Sequence, residues 1–429
     1  MNWTETKALL TKIFDAAVKA AHPAHCLAPH LPPPPARGNV IVLAAGKAGG
    51  SMAEVAEQHY RAAGLPLERL LGIAVSRHGY GRPLQKIEMV EAGHPVPDAA
   101  GLAGAERMLK LAASATENDL VLVLMSGGAS ANLIAPAAGI TLDDKRALTK
   151  QLLASGANIG EINTVRKHLS RIKGGRLAVQ AGRAKLITFA ISDVPGDDPS
   201  VIGSGPTVPD ASTLSDSRAI LRRRKIDPPA AIAAALDNAK NESPKPDHPV
   251  FKNSEYFIIA RPVDALTAAS TVAREAGLVP IVLGANVEGE AREVAAEHAA
   301  QALKLAASRR RSVILSGGEL TVTMQGKGRG GPNQEYALAL ALALQGAPQI
   351  SAVAGDTDGT DGGGGDVSDP AGAFVNGTTL ARAQSLGLDP AGFLANNDST
   401  AFFERIGDLL KPEPTYTNVN DLRAVFIDT

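Results

Sequence analysis

The 429-residue sequence has one cysteine, few aromatic side chains and almost no net charge. A single cysteine, Cys26, cannot form an intramolecular disulfide, so the fold does not depend on a disulfide framework. Phe, Trp and Tyr make up 3% of the chain, which leaves few rings for stacking on nucleic-acid bases. The formal charge of -1 gives no basic excess to neutralise a phosphate backbone or an anionic membrane. We therefore expect no nucleic-acid partner and no membrane partner.

Long apolar segments are lacking as well. No run of about 18 apolar residues occurs, so no transmembrane helix is predicted. Residues 1–21 carry Glu5, Lys7 and Lys12 where a signal peptide would need an apolar core. These features predict a soluble, cytoplasmic protein. With 45% hydrophobic and 20% charged residues, the chain is long enough for two globular domains.

Glycine and proline are abundant instead, with 43 and 28 residues respectively. Eight short segments rich in leucine or β-branched residues alternate with alanine-rich amphipathic stretches. The eight segments are residues 39–45, 71–76, 120–125, 186–191, 256–260, 279–283, 312–315 and 351–354. This alternation predicts an α/β fold with parallel strands buried on both faces. Ligands in such sheets bind beyond the carboxyl ends of the strands, where this sequence places many of its glycines and aspartates.

Two further features predict how the chain is divided. Apolar residues at helical spacing predict an opening helix over residues 4–21. A polar, proline-rich stretch at residues 241–249 is typical of a domain boundary. We therefore predict an N-terminal domain of residues 1–245 and a smaller C-terminal domain of residues 246–429.

The first candidate motif is VIVLAAGKAGGS at residues 40–51, a buried strand that runs into a glycine turn and then a helix. Such a turn presents backbone N–H groups and a helix amino terminus to an anion, and Lys47 adds a mobile charge. The motif matches neither the P-loop nor the G-x-G-x-x-G pattern. It predicts a phosphate-binding turn that includes Gly46 and Gly49. The alternative is a plain strand–helix turn with a solvated lysine.

The second candidate motif is GKGRGGPNQE, which begins at Gly326. Together with Gly328 and Gly331, this glycine satisfies the dinucleotide fingerprint literally. Lys327 and Arg329, however, stand where that fingerprint relies on uncharged backbone, and a guanidinium suits a transferring phosphoryl group better. The motif therefore favours phosphate binding over nicotinamide binding. A flexible turn with solvated cations is the alternative.

Three aspartates follow predicted strands closely. Asp193 comes two residues after its strand, a position from which a carboxylate can hold magnesium or accept a hydroxyl proton. The segment with Asp356 and Asp358 does not match the EF-hand pattern. We predict that these aspartates bind the magnesium ion of a nucleotide, and the alternative is an acidic surface turn. The sequence suggests no role for the four glycines at residues 362–365.

Cations are concentrated in EINTVRKHLSRIKGGR, residues 161–176, which reads as an amphipathic helix ended by two glycines. Arg166 and Lys173 lie off its apolar face and are candidates for binding an anion. The alternative is a solvated basic face, the usual state of such a helix. The SGGAS segment at residues 126–130 lacks the nucleophile elbow G-x-S-x-G, so we interpret it as an anion-binding turn.

Several long, irregular segments resemble the class II glycerate kinases, the glycerate 2-kinases with a carboxyl-terminal MOFRL domain. The resemblance covers nearly the whole chain. It rests on AAGKAGGSM (44–52), GHPVPD (93–98), SGGAS (126–130), EINTVRKHLSRIKGGRLA (161–178), SDVPGDDPSVIGSGPTVPD (192–210), SGGELTVTMQGKGRGGPNQE (316–335), NNDS (396–399) and TNVNDLR (417–423). The resemblance implies a Rossmann-like N-terminal domain with a parallel sheet and a smaller α/β C-terminal domain, with the MOFRL region at about 311–425. It also implies an active site in the cleft between the two domains.

The reaction implied by this resemblance is transfer of the γ-phosphoryl group of ATP to the 2-hydroxyl of D-glycerate, with Mg²⁺ on the nucleotide. The resemblance implicates Lys47 and Arg329 in catalysis, and we predict that Asp193 orients or deprotonates the hydroxyl. The predicted nucleotide-binding residues are Gly46, Gly49, Ser126, Gly127, Gly128, Ser316, Gly317, Gly318, Glu319, Gly328, Asn333, Asp356 and Asp358. The predicted substrate-binding residues are Ser130, Arg166, Lys173 and Asn397, and the predicted magnesium ligands are Asp193, Asp356 and Asp358.

Two other functions compete with the kinase. One is an NAD(P)H-dependent hydroxypyruvate reductase, a label that similar sequences often carry and that the glycine match at residues 326–331 supports. The other is a catalytically silent protein that binds a sugar acid or a nucleotide. The expected partners are small-molecule substrates, and a homodimer is left open.

Overall fold

The structure, a computed structural model, describes residues 1–308, 310–362 and 366–429. Of the glycine run that has no assigned role, residues 363–365 therefore lie outside the described residues. The chain forms two compact units. The parallel-sheet unit comprises Cys26–Ile259, and the mixed-sheet unit comprises Met1–His25 together with Ala260–Thr429. The sequence predicts one boundary, between residues 245 and 246. In the structure this boundary lies between Ile259 and Ala260, and residues 1–25 belong to the second unit.

The opening helix α1 (Trp3–Ala21) belongs to the mixed-sheet unit. It starts at a capping box, in which Asn2 and Glu5 each accept the backbone N–H of the other. Trp3 on this helix meets Phe374 edge to face, with ring centroids 6.5 Å apart. Hydrophobic periodicity predicts the helix, but it cannot predict a partner that lies hundreds of residues away in the chain.

Five of the six strands of the parallel-sheet unit lie at predicted apolar segments. The six strands are β1 (Val40–Ala45), β2 (Leu70–Arg77), β3 (Glu88–Ala92), β4 (Leu120–Met125), β5 (Lys185–Ile191) and β6 (Ser254–Ala260), and β3 is the strand that no segment predicts. The order in the sheet is β3-β2-β1-β4-β5-β6, and β1 to β5 pair in parallel. Every residue of β1 and β4 is buried, as expected for strands that are covered on both faces.

Helices connect these strands and cover the sheet. They are α3 (Gly49–Ala62), α4 (Ala99–Ala113), α5 (Ala129–Asn132), α6 (Leu142–Ala154), α7 (Ile159–His168), α8 (Arg176–Ala181), α9 (Leu214–Arg223) and α10 (Ala230–Asp237). The short helix α2 (Pro23–Cys26) precedes β1, and all but its last residue belong to the mixed-sheet unit. The core of the sheet includes Ile41 and Val123. A second core joins α6, α7 and α9 through Leu148, Val165 and Ile220. Arg166, the anion-binding candidate on α7, is therefore carried by a helix that packs in its own layer.

Helix α7 is shorter than the sequence predicts. Apolar spacing predicts that it continues through Ile172, but it ends at His168. The reason is Ser170, whose hydroxyl accepts the backbone N–H of Ile172 and of Lys173, each at 3.2 Å, and so starts a turn. This turn places Lys173 inside the protein, where it is 1% exposed.

The mixed-sheet unit differs from the parallel sheet that the sequence predicts. Its strands are β7 (Val279–Gly284), β8 (Gly289–Glu290), β9 (Ser312–Ser316), β10 (Leu320–Thr321), β11 (Ile350–Asp356), β12 (Gly372–Val375), β13 (Leu409–Leu410) and β14 (Asp421–Ile427). Six of them form one sheet in the order β13-β12-β11-β14-β9-β7, while β8 pairs with β10. In the six-stranded sheet the pair β7–β9 is parallel and the other pairs are antiparallel, so the parallel prediction is wrong here.

Two strands cause this difference. Strand β14 inserts between β9 and β11 and runs antiparallel to both, and β12 runs antiparallel to β11 and β13. Asp421 and Arg423 interrupt the apolar pattern of β14, although both side chains are buried. The helices of this unit are α11 (Pro262–Glu275), α12 (Ala291–Ala306), α13 (Pro332–Leu344), α14 (Thr379–Ser385), α15 (Pro390–Ala395) and α16 (Ser399–Ile406). Within the described ranges, no helix of either unit has the length and apolarity needed to cross a bilayer.

Candidate active site

The carboxyl ends of β1 and β4 lie side by side in the parallel-sheet unit. Their register pairs Ala45 with Met125, the last residues of the two strands. From β1 the chain continues outward through β2 and β3, whereas from β4 it continues on the other side through β5. This reversal is the topological switch point at which open α/β sheets bind ligands. The turns after β1 and β4 therefore meet where a ligand is expected.

Hydrogen bonds join these two turns. The backbone N of Lys47 donates to the carbonyl oxygen of Gly127 at 2.8 Å, and the backbone N of Ala48 donates to Ser126 Oγ at 2.9 Å. Gly46 has φ +110°, and a Cβ at this position would lie 2.4 Å from Ser126 Oγ. Glycine is therefore required at residue 46 so that the turns can approach each other.

The amino terminus of α3 follows directly and has no side-chain cap. Its N-cap residue is Ala48, and its first turn contains no acidic residue. The partial positive charge of this helix end is thus not offset by a capping side chain. Lys47, which is half-buried, lies beside it. A helix terminus and an ammonium group at one switch point are suited to binding a phosphate.

His94 also lies at this edge, although the sequence predicts no role for it. A Cβ on Gly128 would lie 3.1 Å from the His94 ring and 3.2 Å from Lys47 Cγ, so these two side chains flank the glycine. Asn132 holds the His94 loop by donating from Nδ2 to the carbonyl oxygen of Gly93 at 3.1 Å. His94 stands two residues after β3, as Asp193 stands two residues after β5, but this signal depends on β3, which the apolar segments do not predict.

The predicted substrate-binding residues Ser130, Arg166 and Lys173 come together in the parallel-sheet unit. Lys173 Nζ donates to the carbonyl oxygen of Ser130 at 2.9 Å. Arg166 Nη1 donates to Asn163 Oδ1 at 3.2 Å, and Ser204 Oγ contacts both Asn163 Oδ1, at 3.3 Å, and Ser130 Oγ, at 2.8 Å. The alternative of a solvated basic face is therefore wrong for Lys173, which is buried.

Asp193 lies beyond the carboxyl end of β5, the strand next to β4. It is partly buried, whereas Asp198 in the same turn is exposed. Asp198 Oδ1 accepts the backbone N–H of Ser200 at 2.8 Å, which makes it an Asx-turn residue. The two aspartates therefore differ: Asp198 stabilises the turn, whereas Asp193 is partly buried beyond the end of β5.

In the mixed-sheet unit, the turn that carries Arg329 is built on the NNDS segment. Asn397 Oδ1 accepts the backbone N–H of Gly326 at 2.9 Å, and Asp398 Oδ1 accepts that of Arg329 at 3.0 Å. The Arg329 side chain is 62% exposed, with Nη2 at 3.5 Å from Glu404 Oε2. The backbone of the turn is thereby fixed, while the guanidinium remains open to solvent.

Asn397, which the sequence predicts to bind substrate, is 2% exposed. Besides the bond to the turn, its Nδ2 donates to Glu335 Oε2 at 3.0 Å. Glu335 also accepts from Arg292 Nε at 2.6 Å. Both ends of the Asn397 amide therefore have protein partners, and these contacts give the residue a role in shaping the Arg329 turn.

A carboxylate occupies the amino terminus of α13, the helix that follows this turn. Asp361 Oδ1 accepts the backbone N–H of Asn333 at 2.9 Å, and Oδ2 accepts that of Gln334 at 2.9 Å. The two side-chain amides donate to the same oxygens, at 3.1 Å from Asn333 and 3.0 Å from Gln334. A Cβ on Gly331 would lie 2.4 Å from Asp361, so glycine lets the carboxylate approach. A phosphate could bind this helix end only by displacing Asp361.

The same network extends to the turn after β9. The pKa of Asp361 is raised to about 7, chiefly by burial and also by the Asp421 carboxylate, against the N–H donors that lower it. Asp421 accepts from Arg423 Nη1 at 2.9 Å, and Arg423 Nε donates to Ser316 Oγ at 3.1 Å. Arg423 also donates to the carbonyl oxygen of Gly317. Two of the predicted nucleotide-binding residues are thus engaged by a buried arginine.

The predicted metal ligands Asp356 and Asp358 form Asx turns. Asp356 Oδ1 accepts the backbone N–H of Asp358 at 2.9 Å, and Asp358 Oδ1 accepts from Thr360 N and Oγ1 at 2.9 and 3.0 Å. Among residues whose placement is described, no group of three or more His, Cys, Asp and Glu side chains is arranged to hold a metal. A nucleotide-bound Mg²⁺ requires only one or two carboxylates besides phosphate oxygens and water, so it does not depend on such a group.

We expect replacement of Asp361 with alanine to destabilise the protein. The change leaves the backbone N–H groups of Asn333 and Gln334 without an acceptor, whereas their side-chain amides keep the Asp421 carboxylate and the Asp361 carbonyl oxygen. A loss of about 3 kcal/mol in the free energy of unfolding is expected, since each of the two unsatisfied donors costs about 1–3 kcal/mol. Urea denaturation measures this change. Glu275→Ala, at an exposed position in the same unit, is the control. Equal stability of the two variants would contradict the structural role of Asp361.

Comparisons with known proteins agree with this architecture. Residues 9–237 match the sequence model of a family described as Domain of unknown function (DUF4147), and residues 312–421 match the MOFRL family. A protein of Agrobacterium vitis with the provisional name hydroxypyruvate reductase is 47% identical, over 100% of this chain and 96% of its own length. The D-glycerate 2-kinase of Thermotoga maritima is 37% identical, over 97% of each chain.

A solved structure gives the same result. The crystal structure of glycerate kinase from Thermotoga maritima has a TM-score of 0.87 and 35% sequence identity, and the match covers 99% of this chain and 100% of that chain. The α/β fold, together with matches to two family models in one chain, defines the class of the protein as an α/β kinase with two family regions. The chain belongs to the glycerate kinase family that combines the DUF4147 and MOFRL regions. The predicted family and α/β fold class are confirmed.

Proposed function

We propose that this protein is a glycerate 2-kinase, which transfers the γ-phosphoryl group of ATP to the 2-hydroxyl of D-glycerate and releases 2-phosphoglycerate and ADP. The observation that carries the proposal is the uncapped α3 amino terminus with Lys47 at the β1–β4 switch point. The glycerate 2-kinase names of relatives at 37–38% identity support the same reaction. The reductase name on the 47% identical relative keeps a second candidate in view.

Phosphoryl transfer depends mainly on positioning and charge stabilisation. In our proposal the turns after β1 and β4 hold ATP phosphates through backbone N–H groups, and Lys47 donates to an oxygen of the transferring group. Arg329 offers a planar, permanently charged donor on a fixed backbone. Its high exposure supports this role, because the guanidinium is not committed to a buried partner.

Asp193 is the group that we propose for the acceptor. It accepts the proton of the 2-hydroxyl while the oxygen forms its bond to phosphorus and the bond to ADP breaks. Its place beyond β5, at the same sheet edge as the Lys47 turn, supports this assignment. Mg²⁺ on ATP would neutralise phosphate charge, and Asp193, Asp356 and Asp358 are the residues that we propose to hold it.

The acceptor also has a carboxylate, which needs cations. Arg166 and Lys173, linked through Ser130, Ser204 and Asn163, are the residues that we propose for it. Asn397 then acts indirectly, by shaping the turn that presents the catalytic arginine.

The two candidate reactions can be compared in one preparation. The kinase proposal predicts that ADP forms from MgATP only when D-glycerate is added, and that hydroxypyruvate does not stimulate NADH or NADPH oxidation. NAD(P)H oxidation by hydroxypyruvate without glycerate-dependent ADP formation would overturn it. If neither reaction occurs while ligands bind, the protein is a silent binding protein.

The Asp193 assignment gives a further prediction. Asp193→Asn keeps the size of the side chain but removes its basicity, so we expect kcat to fall by roughly 10²-fold, the lower range for a positioned general base. Asp198→Asn in the same turn is the matched control and should retain wild-type turnover. Initial rates of ADP release at saturating substrates measure both variants. Wild-type kcat in Asp193→Asn would exclude this residue as the base.

A further inference from the structure

The parallel-sheet unit contains a group of buried cations that lack carboxylate partners. Lys145 on α6 is 6% exposed, and its Nζ donates to the carbonyl oxygen of Leu169 at 3.0 Å. Lys173 donates to the carbonyl oxygen of Ser130, and Arg166 donates to the Asn163 amide. In the described part of the chain, none of these three cations has a carboxylate oxygen within 4 Å.

Neighbouring cations in the same layer, in contrast, have carboxylate partners. Lys167 lies 3.5 Å from an Asp210 oxygen, and Lys245 lies 2.6 Å from a Glu242 oxygen. Asp210 and Glu242 also raise the pKa of Arg176, although burial lowers it overall. Acidic partners are thus present in this layer but are not directed at Lys145, Arg166 or Lys173. A buried charge without a partner is unfavourable unless the site receives an anion.

The charged form of Lys145 is destabilised by these surroundings. Its pKa is lowered to about 7 by burial first and then by the positive charges of Arg166 and Arg176. The pKa of Lys173 is lowered well below its usual range by burial, Arg166 and Lys145. The charged groups that act on Lys145 are thus Arg166 on α7 and Arg176 on α8, and Lys145 acts in turn on Lys173 in the turn before α8. On the helix of Lys145, Asp144 is engaged as a capping residue and Arg146 binds the Pro97 carbonyl oxygen.

We propose that Lys145, Arg166 and Lys173 together form the subsite that binds the carboxylate of the acceptor, and that Lys145 is the residue that makes this subsite selective for a carboxylic acid. The proposal rests on the glycerate 2-kinase function and adds a cation from a helix that no motif identified. Lys145 acts by direct contact with the carboxylate.

The other groups of the subsite favour a small hydroxy acid over a bare phosphate. Ser130, Ser204 and Asn163 supply two hydroxyls and an amide next to the cations, and these neutral groups can pair with substrate hydroxyls. Ser204 and Asn163 are buried, whereas Ser130 and Arg166 are partly exposed. An acid would therefore enter past Ser130 and Arg166, and its charged end would reach the two buried lysines.

Direct binding tests the subsite without ATP and therefore without the kinase reaction. In calorimetric titrations at pH 6.5, we expect D-glycerate to bind wild-type protein and glycerol, which lacks the carboxylate, not to bind. Lys145→Met should weaken the Kd for D-glycerate by at least tenfold, because a hydrogen bond to a charged group contributes about 1.5–3 kcal/mol. Lys150→Met, an exposed lysine on the same helix, is the matched control and should leave the Kd unchanged.

The pH dependence has a defined sign. Lys145 binds the anion as an ammonium, and its pKa in the free protein is about 7, so the Kd should increase as the pH rises from 6 to 8.5. In Lys145→Met this dependence should be lost. Thermal unfolding without ligand separates binding from a structural role. Among the described residues Lys145 has no carboxylate partner, and the Leu169 carbonyl oxygen to which it donates also accepts the backbone N–H of Ala137. Its removal should therefore leave Tm unchanged or raise it, whereas removal of a contact that the fold needs would lower Tm.

Kinetics gives the remaining readout. The KM for D-glycerate should rise at least tenfold in Lys145→Met, while the KM for ATP and kcat stay within about threefold. Unchanged glycerate Kd and KM in this variant would overturn the proposal, as would glycerol binding as tightly as D-glycerate. Binding of inorganic phosphate that is lost in Lys145→Met, without any binding of D-glycerate, would overturn the proposal and assign the cations to phosphate. Glycerate binding that needs Lys145 but leads to no ATP turnover would refute the kinase function and leave the carboxylate subsite standing.

Discussion

Replacing Lys47 with alanine should lower kcat by about 10²-fold or more while the protein stays folded, since one preorganised charge contact contributes on this scale. The side chain lies beside the uncapped terminus of α3 and flanks Gly128, where it can reach a phosphate held at the switch point. The structural cost should be small, because the residue is only half-buried. ADP release at saturating substrates measures kcat, and thermal unfolding checks the fold.

Lys86→Ala is the control for this prediction, because Lys86 is an exposed lysine in the same unit. It should retain wild-type turnover. Lys47→Arg keeps the charge with a different shape, so we expect an intermediate rate. A wild-type kcat in Lys47→Ala would remove the central cation from the proposed mechanism.

Replacing Arg329 with alanine should cause a loss of similar size, about 10²-fold or more in kcat. The backbone of this turn is held by Asn397 and Asp398, not by the Arg329 side chain, so the turn should survive the substitution. Arg329→Lys should recover only part of the rate, because an ammonium group cannot form the two parallel hydrogen bonds of a guanidinium.

Glu404→Gln separates catalysis from the surface ion pair. Its carboxylate lies 3.5 Å from Arg329, and both side chains are more than half exposed. An exposed pair of this kind contributes about 0–1 kcal/mol, so this variant should keep both its stability and its turnover. Loss of activity in Glu404→Gln equal to that in Arg329→Ala would instead favour a role for the ion pair in organising the turn.

The sequence predicts the fold well where local pattern and burial coincide. The predicted segment 120–125 corresponds to β4, because a fully buried parallel strand must be apolar throughout. The prediction of strands from apolar segments fails at β14, where Asp421 and Arg423 interrupt the apolar pattern. These two residues are buried as a pair, and their partners lie far away in the chain. Helix α7 illustrates a local failure, since a serine side chain ended it where apolar spacing alone predicts continuation.

The same contrast holds for the two glycine turns. Sequence treats the turn at Lys47 and the turn at Arg329 alike, as strand–glycine–helix motifs that can bind phosphate. The structure distinguishes them: the first ends at an uncapped helix, and the second leads to a helix whose amino terminus holds Asp361. Asp361 lies 28 residues after Asn333, whose backbone N–H it accepts, so the spacing within the motif could not reveal this capping carboxylate.

The buried cations Lys145, Arg166 and Lys173 could be recognised as a group only from the structure. The motif at residues 161–176 identifies Arg166 and Lys173 as candidates, but it cannot show that both lack acidic partners. Lys145 lies outside this motif on α6, and only the packing of α6 against α7 brings it to the same place. A lysine within a helix has no distinctive sequence signal, so this residue could be found only from its environment.

The position of the phosphate on the product tests the proposed function most directly. Purified protein is incubated with D-glycerate and MgATP, and enolase is then added without phosphoglycerate mutase. A glycerate 2-kinase predicts immediate formation of phosphoenolpyruvate, because enolase acts on the 2-phosphate. Phosphoenolpyruvate that appears only after mutase is added would place the phosphate on the 3-hydroxyl and contradict the proposal.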